Sequence, residues 1–560
     1  MNENTHTLNS EQERLFLMLR NKKLKHWETF SDPDNIGIWK SVIEKYPETA
    51  HFIYELTQNA DDAIATIVRI VLYKHKLVFI HNGKRQFSLT DCYCDKSPVG
   101  DLNSITSVAN SSKKDEEQTI GKFGVGFKSV FQYTDTPSIY DDTFWFKIEN
   151  YIIPTLLEND HELRNAGETL FELPFKDPEK AYPEILQRLQ NLNMPVLFLP
   201  HIQKITWCID GEEMIHEYSK EAIQTGERHG IKYEFCRIHE YDKNLLMYLF
   251  HRDCNTIKGK YNISVGFYVN PDGSLDIDAK GQIYCFFPTS EHFDSCFVSH
   301  APFLLVDNRD RFKDFEVINQ EFLNCIAELA SDALLCLKEI GECRNSRLLE
   351  SEDNQMSTTD KNILINDNIF HILNIKSTKD RDIYLKQCYF KIVRENKLLL
   401  NRSKRYASIN DVFSATIDLE NLISSSQIAQ LCQNNDRDFL YLKQYRSDFK
   451  EVEAELKIKP FDNEYLAKHI SNSFMANQPL EWAHRLLTYI EDKARVLWRS
   501  DEPRTISDTW SAFSVDSWNK LKFRFASIAK TQDGEWISPY YLYKKNANVC
   551  LPYSGFKDVE

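Results

Sequence analysis

Residues 54–63 read Tyr54-Glu55-Leu56-Thr57-Gln58-Asn59-Ala60-Asp61-Asp62-Ala63, and residues 120–131 read Ile120-Gly121-Lys122-Phe123-Gly124-Val125-Gly126-Phe127-Lys128-Ser129-Val130-Phe131. The first stretch lies in a helical pattern. Between Tyr46 and Ile70 only Pro47 could break a helix, and a proline suits a first turn. Ile53, Leu56, Ala60, Ala63, Ile64 and Ile67 recur at helical spacing and predict one apolar face. Glu55, Asn59 and Asp62 fall at i, i+4 and i+7, on another face. Such a polar stripe is also what a solvated helix surface looks like. Its chemistry suggests more. Magnesium takes few protein oxygens alongside phosphates. An Asn carbonyl suits it, and a Glu one turn earlier can orient water as a general base.

The second stretch is a glycine-punctuated loop running into a predicted helix start at Phe127. Gly121, Gly124 and Gly126 let backbone approach a ligand closely. Free N–H groups at a helix start attract phosphate. A lone glycine pattern of this kind is often only a tight turn. Glu55 and Asn59 upstream give it force. The polar run Asn110–Glu117 just before it is a lid candidate or an ordinary surface loop.

Together these segments resemble the GHKL ATPase superfamily, which has the Bergerat nucleotide fold, and most closely its sacsin-type N-terminal ATP-binding domain. The Glu-Leu-x-Gln-Asn-Ala-Asp-Asp-Ala string is similar to the family's first box. The resemblance implies that Glu55 activates water and Asn59 binds Mg²⁺, with Asp62 beside them. Gly121, Lys122, Phe123, Gly124, Val125, Gly126 and Phe127 are similar to its phosphate box. Ser112-Lys113 resembles the lid signature, and Thr169, after Gly167-Glu168, resembles the late strand near adenine. Between the boxes the wider superfamily has Asp-x-Gly, whose Asp accepts from the adenine amine. Here the string is His81-Asn82-Gly83, so an imidazole nitrogen or the Asn82 carbonyl would take that role.

Composition sets limits. A chain of 560 residues is too long for one core. With 42% hydrophobic residues, 35 Phe and 26 Tyr, sizeable cores are expected. A net charge of −15 argues against broad electrostatic binding to nucleic acid. No 18-residue apolar run predicts a membrane span. The N-terminus lacks a signal-peptide pattern. The 13 cysteines are scattered without a Cys-x-x-Cys, which predicts neither zinc nor disulfides and fits reduced thiols in the cytoplasm.

The pattern divides the chain into a helical extension (1–40), an ATP-binding α/β sandwich with a mixed sheet (41–180), an α/β middle domain (181–345), a linker (346–362, within the polar run Arg344–Asn362) and a mostly helical C-terminal region with short strand-turn units (363–560). Strands are predicted at Ala65–Tyr73, Lys76–His81, Thr143–Ile148, Thr169–Leu173, Ile202–Ile209, Tyr261–Val269 and Gly281–Phe287. A helix is expected at Leu480–Trp498, with strand-turn passages at Cys388–Leu400 and Phe523–Leu542. Ala279–Thr289 followed by His300–Asp310 resembles the family's second domain, which often sends a basic side chain to the γ-phosphate. Arg309 is the candidate, with Lys280 behind it; an Arg after a strand is otherwise an ordinary ion-pair partner. The ending Asp558-Val559-Glu560 reads as shortened from something longer.

The implied function is an Mg²⁺-dependent ATPase whose lid closure does conformational work on a protein partner or client, with ATP-linked dimerisation. Protein quality control and bacterial defence are the settings that proteins sharing the domain suggest. The alternative is a binding module that uses ATP as a switch without useful hydrolysis. A sensor kinase lacks its phosphoacceptor helix pair here, and a topoisomerase its DNA-cleaving Tyr domain.

Overall fold

A computed structural model describes residues 8–31, 51–94, 99–107, 126–306, 311–350, 379–441, 452–498 and 523–538, apart from single positions, together with short strands at 542–543 and 557–558. The chain divides into two compact units, one of Met1–Cys336 with Asn368–Leu385, the other of Leu337–Asp367 with Lys386–Glu560.

The first unit opens with α1 (Ser10–Phe30), whose start is fixed by a reciprocal capping box between Asn9 and Gln12. Helix α2 (Phe52–Asp62) follows, then the hairpin β1 (Ile67–Leu72) and β2 (Lys76–His81), and the short α3 (Asp101–Ile105). A 3-10 helix, Gly126–Gln132, leads to β3 (Ser138–Tyr140), β4 (Trp145–Glu149), β5 (Ile153–Leu156) and β6 (Thr169–Pro174). Helix α4 (Pro178–Gln190) precedes β7 (Lys204–Ile209). The long strands β8 (Ile215–Arg228), β9 (Ile231–Glu240), β10 (Lys243–Thr256) and β11 (Gly259–Val269) come next. Then follow β12 (Gln282–Cys285), β13 (Phe287–Pro288), β14 (Phe297–His300) and α5 (Val317–Glu350), whose residues from Leu337 on belong to the second unit.

All fourteen strands form one mixed sheet, in the order β13-β12-β14-β11-β10-β9-β8-β7-β1-β2-β6-β3-β4-β5. The expected α/β class with a mixed sheet is therefore observed. The sheet also runs unbroken past residue 180, because β1 pairs in parallel with β7, Ile67 opposite Lys204 through Leu72 opposite Ile209. Alternation along β2 builds two layers. Leu77 and Phe79 join Phe16, Leu19, Phe52, Leu56 and Ala60 in the core beneath α1 and α2. Val78 and Ile80 pack on the other face with Tyr140, Trp145 and Leu170. Burying each Leu, Ile, Val or Phe among these contributes about 1.5–3 kcal/mol.

Several expectations need correcting. The helical pattern does not continue to Ile67: α2 stops at Ala63, Ile64 takes a positive φ of 60°, and Ile64 and Ile67 are exposed. The stop comes from the Asn82 side chain, whose carbonyl accepts from the N–H groups of Thr66 and Ile67 at 2.9 Å each and turns the chain into β1. The helix after the glycine loop is a seven-residue 3-10 helix rather than an α-helix. The polar run beginning at Arg344 is not all linker, since α5 extends to Glu350. Cys388 lies inside a helix, Asp380–Glu395, with only Leu399–Leu400 extended. Finally, Cys254 of β10 and Cys325 of α5 form a disulfide with a Cα separation of 6.3 Å, against the expectation of thiols throughout. Tertiary packing brings the pair together across 71 residues, a separation no local cysteine spacing announces.

In the second unit, Leu480–Trp498 is helical as expected and buries Trp482, Ala483, Leu486 and Ile490 in a separate core with Phe413, Leu419 and Ile428. The expected hairpin pairs Ala529–Lys530 with Trp536–Ile537 around Gly534, at φ 84°.

Candidate functional site

Helix α2 carries the first set of polar groups. Glu55 is buried, while Asn59 and Asp62 are half-buried further along the same helix. The Glu55 carboxylate reaches the residue that closes the glycine loop. A Cβ added at Gly126 would lie 1.8 Å from Glu55 Oε2, so only glycine leaves room for it. Glu55 Oε1 faces His51 Nε2 at 3.4 Å, one turn back on the helix, with both side chains nearly inaccessible. The two motifs read from the sequence thus meet.

Immediately after Gly126, Phe127 packs on Phe131 and, at 6.1 Å, on Phe171 of β6. Phe171 in turn stacks on the His81 ring at 6.1 Å. This aromatic chain carries the site from the Glu55 end to the ends of β2 and β6. There His81 lies opposite Thr169 in the antiparallel ladder. Both fall on the face shared by Phe79 and Phe171, the face covered by α1 and α2.

The polar atoms at the strand end are occupied in a defined way. His81 Nδ1 accepts the Gly83 N–H at 3.1 Å. Burial pushes the imidazole down to about 4, so the ring is neutral near pH 7. Gly83 is held close: a Cβ there would sit 2.8 Å from both His81 Nδ1 and Ala63 Cβ. Asn82 accepts the Thr66 and Ile67 N–H groups and donates to Thr66 Oγ1 at 2.9 Å. Thr169 Oγ1 is buried with no hydrogen-bond partner among the described residues.

Two further residues of the motifs have roles the sequence did not assign. Asp61 accepts the backbone N–H groups of His201 and Ile202 at 2.9 Å each, which ties α2 to the entry of β7; burial raises its carboxyl above the usual range. Lys128 turns inward, donating to the carbonyls of Ile105 at 2.7 Å and Tyr151 at 2.9 Å, and burial pushes its ammonium down to about 7. Lys128 therefore pins the end of α3 to the 3-10 helix. Only their place inside the motifs marked these two residues. Their partners are distant backbone groups with no sequence signal.

Ser112, Lys113, Gly121, Lys122, Phe123, Gly124, Val125 and Arg309 lie outside the described residues. Lys280 is exposed before β12. Among the described residues no cluster of three or more His, Cys, Asp or Glu could hold a metal ion. An ion bound through phosphates and one neutral carbonyl needs no such cluster. The half-buried Asn59 carbonyl, one turn beyond Glu55, is a donor of the kind that mode needs.

Residues 36–149 match the family model described as the Sacsin domain. The chain is 31% identical over 193 residues to Protein NO VEIN of Arabidopsis thaliana, an alignment covering 29% of this chain and 7% of that protein. It is also 31% identical over 150 residues to Sacsin of Homo sapiens, covering 24% of this chain and 3% of that protein. The chain thus spans a small fraction of either relative's length. Among solved structures, the N-terminal domain of a DNA repair protein aligns with 52% of this chain and 96% of its own, at 12% identity and a TM-score of 0.28. No helix among the described residues is long and apolar enough to cross a membrane.

Proposed function

We propose that the first unit carries a GHKL-type nucleotide site, with a Bergerat arrangement of helices over the mixed sheet, that binds ATP with Mg²⁺ and hydrolyses it. The observation that supports this reading best is the Glu55 carboxylate lodged against Gly126. A buried carboxylate at the exit of a glycine-rich loop is suited to taking a proton from a water directed at a phosphate. In this reading Asn59 supplies an oxygen to magnesium, with Asp62 beside it, and the amides of residues 121–127 and Lys122 hold phosphates. Bound magnesium would neutralise charge on the phosphates. Phe127, Gly83 and Thr169 line the base side, and Ser112 and Lys113 belong to the lid. Arg309 is assigned to the γ-phosphate, with Lys280 as the reserve. Lid closure would then drive conformational change on a protein partner, with dimerisation linked to ATP.

The binding-only reading draws on the same carboxylate. Glu55 Oε1 already faces His51, so the group also has a structural use. Single-turnover hydrolysis of γ-labelled ATP by purified protein separates the two. The ATPase reading expects phosphate release that disappears in Glu55→Ala while ATP binding persists. Retained ATP binding with no release above the Glu55→Ala level leaves the switch.

A further inference from the structure

The end of β2 specifies which hydrogen-bonding groups can meet a ligand. A backbone N–H can only donate, so the Gly83 contact requires a lone pair on His81 Nδ1. In the neutral ring the proton then sits on Nε2, which makes the free side of His81 a donor. Asn82 offers no substitute. Its carbonyl already receives two N–H groups, filling both lone pairs, and its amide nitrogen donates to Thr66. The remaining polar group on this face is Thr169 Oγ1, directly across the ladder from His81 and buried without a partner among the described residues. A hydroxyl can donate or accept. Among the described residues the strand end thus presents one fixed donor beside one adaptable hydroxyl, and no side-chain acceptor dedicated to an amine.

We propose that His81 reads the nucleotide base as a donor through Nε2–H, with Thr169 Oγ1 as its neighbour, so that the site accepts 6-oxopurine nucleoside triphosphates as readily as ATP. This rests on the nucleotide reading above. A 6-oxo group facing Nε2–H accepts its hydrogen bond, and the adjacent N1–H of that base can donate to Thr169. An adenine amine facing Nε2–H would set donor against donor, a buried mismatch of about 1–3 kcal/mol. Adenine avoids the mismatch by presenting a ring nitrogen to His81, which leaves its amine unread by that residue. A site built on an acceptor at this position would instead reject the 6-oxopurine strongly.

The test is calorimetry on the full chain with Mg²⁺, titrating ATP, inosine triphosphate and inorganic tripolyphosphate. Inosine triphosphate differs from adenosine triphosphate at the position-6 group and the N1 proton. The wild type is expected to bind inosine triphosphate as tightly as ATP within about threefold, or more tightly, and to keep that ratio from pH 8 to 5.5. His81→Asp places an ionised acceptor there and is expected to shift the preference at least about tenfold toward ATP. A wild type that binds ATP more than about threefold tighter than inosine triphosphate overturns the donor assignment and leaves the nucleotide reading standing. If neither nucleotide nor tripolyphosphate binds, the nucleotide reading fails and this proposal with it. The wild-type comparison decides without the variant, so the folding of His81→Asp does not control the outcome.

Discussion

Glu55 and His81 are nearly equally buried, 3% and 5% exposed, and an aromatic chain through Phe127 and Phe171 links their surroundings. Their polar atoms are used differently. The Glu55 carboxylate lies against the bare backbone of Gly126, at the exit of the glycine loop. His81 Nδ1 and the whole Asn82 amide close the chain's own turn from α2 into β1 and β2. Burial alone therefore does not say how a polar group is used. Its partners do, and they give the two ends different expected responses to mutation.

The largest effect is expected at the Glu55 end. Glu55→Ala should lower single-turnover hydrolysis by about 100-fold or more, the usual contribution of a general base, while ATP affinity stays within a few fold. Gly126→Ala tests the same contact from the other side. Its Cβ must displace the carboxylate, so turnover should fall comparably in a protein that still melts cooperatively. Wild-type turnover in Gly126→Ala would mean that the carboxylate's place beside the loop is irrelevant to chemistry.

A sharper version of the comparison uses Asp61 and Asn59, two positions apart on α2. Asp61→Ala leaves the buried Ile202 N–H and the part-buried His201 N–H without their acceptor, and about 1–3 kcal/mol of stability should be lost in urea unfolding. Asn59 is half-buried, and Asn59→Ala should change stability by less than about 0.5 kcal/mol. It should nevertheless abolish the magnesium dependence of ATP binding in calorimetry. If Asn59→Ala unfolds the protein as Asp61→Ala does, the polar face of α2 is structural throughout.

What the sequence disclosed follows from the range of the forces involved. Lys76–His81 was legible to the residue because a short unbroken apolar run, Leu77–Ile80, is the local mark of a strand covered on both faces. Leu480–Trp498 was legible because its apolar stripe is unbroken. The end of α2 was not, since Ile64 and Ile67 keep the helical rhythm while the stop is imposed by Asn82, 16 residues away from Thr66. The continuous sheet was hidden for the same reason: the β1–β7 pairing joins segments that carry no shared local pattern. At the site, residue types singled out Glu55 and Asn59, and the structure puts both on α2 with Glu55 against Gly126. No sequence pattern could say that the His81 lone pair is taken by the glycine two positions on.

The smallest effect concerns acid stability and sets His81 beside His300 of β14. Burial pushes His81 to about 4 and His300 to about 3. In the unfolded chain both titrate near 6.5, so above that pH both states are neutral and neither residue contributes. As pH falls below 6.5 the unfolded chain binds protons that the folded protein does not. The folded state therefore loses about 1.4 kcal/mol per pH unit per histidine, until the folded pKa is reached. His300 differs from His81 in what the ring does: it stacks on Phe198 at 5.1 Å, and its Nε2 is buried without a partner among the described residues. His300→Phe keeps the packing and removes one titration. At pH 5.5 the variant's disadvantage or advantage relative to wild type should have moved in its favour by about 1.4 kcal/mol compared with pH 8. His81→Phe should show the same slope change but a lower baseline, because the Gly83 N–H loses its acceptor. Equal baselines for the two variants at pH 8 would mean that the Gly83 contact adds nothing to stability.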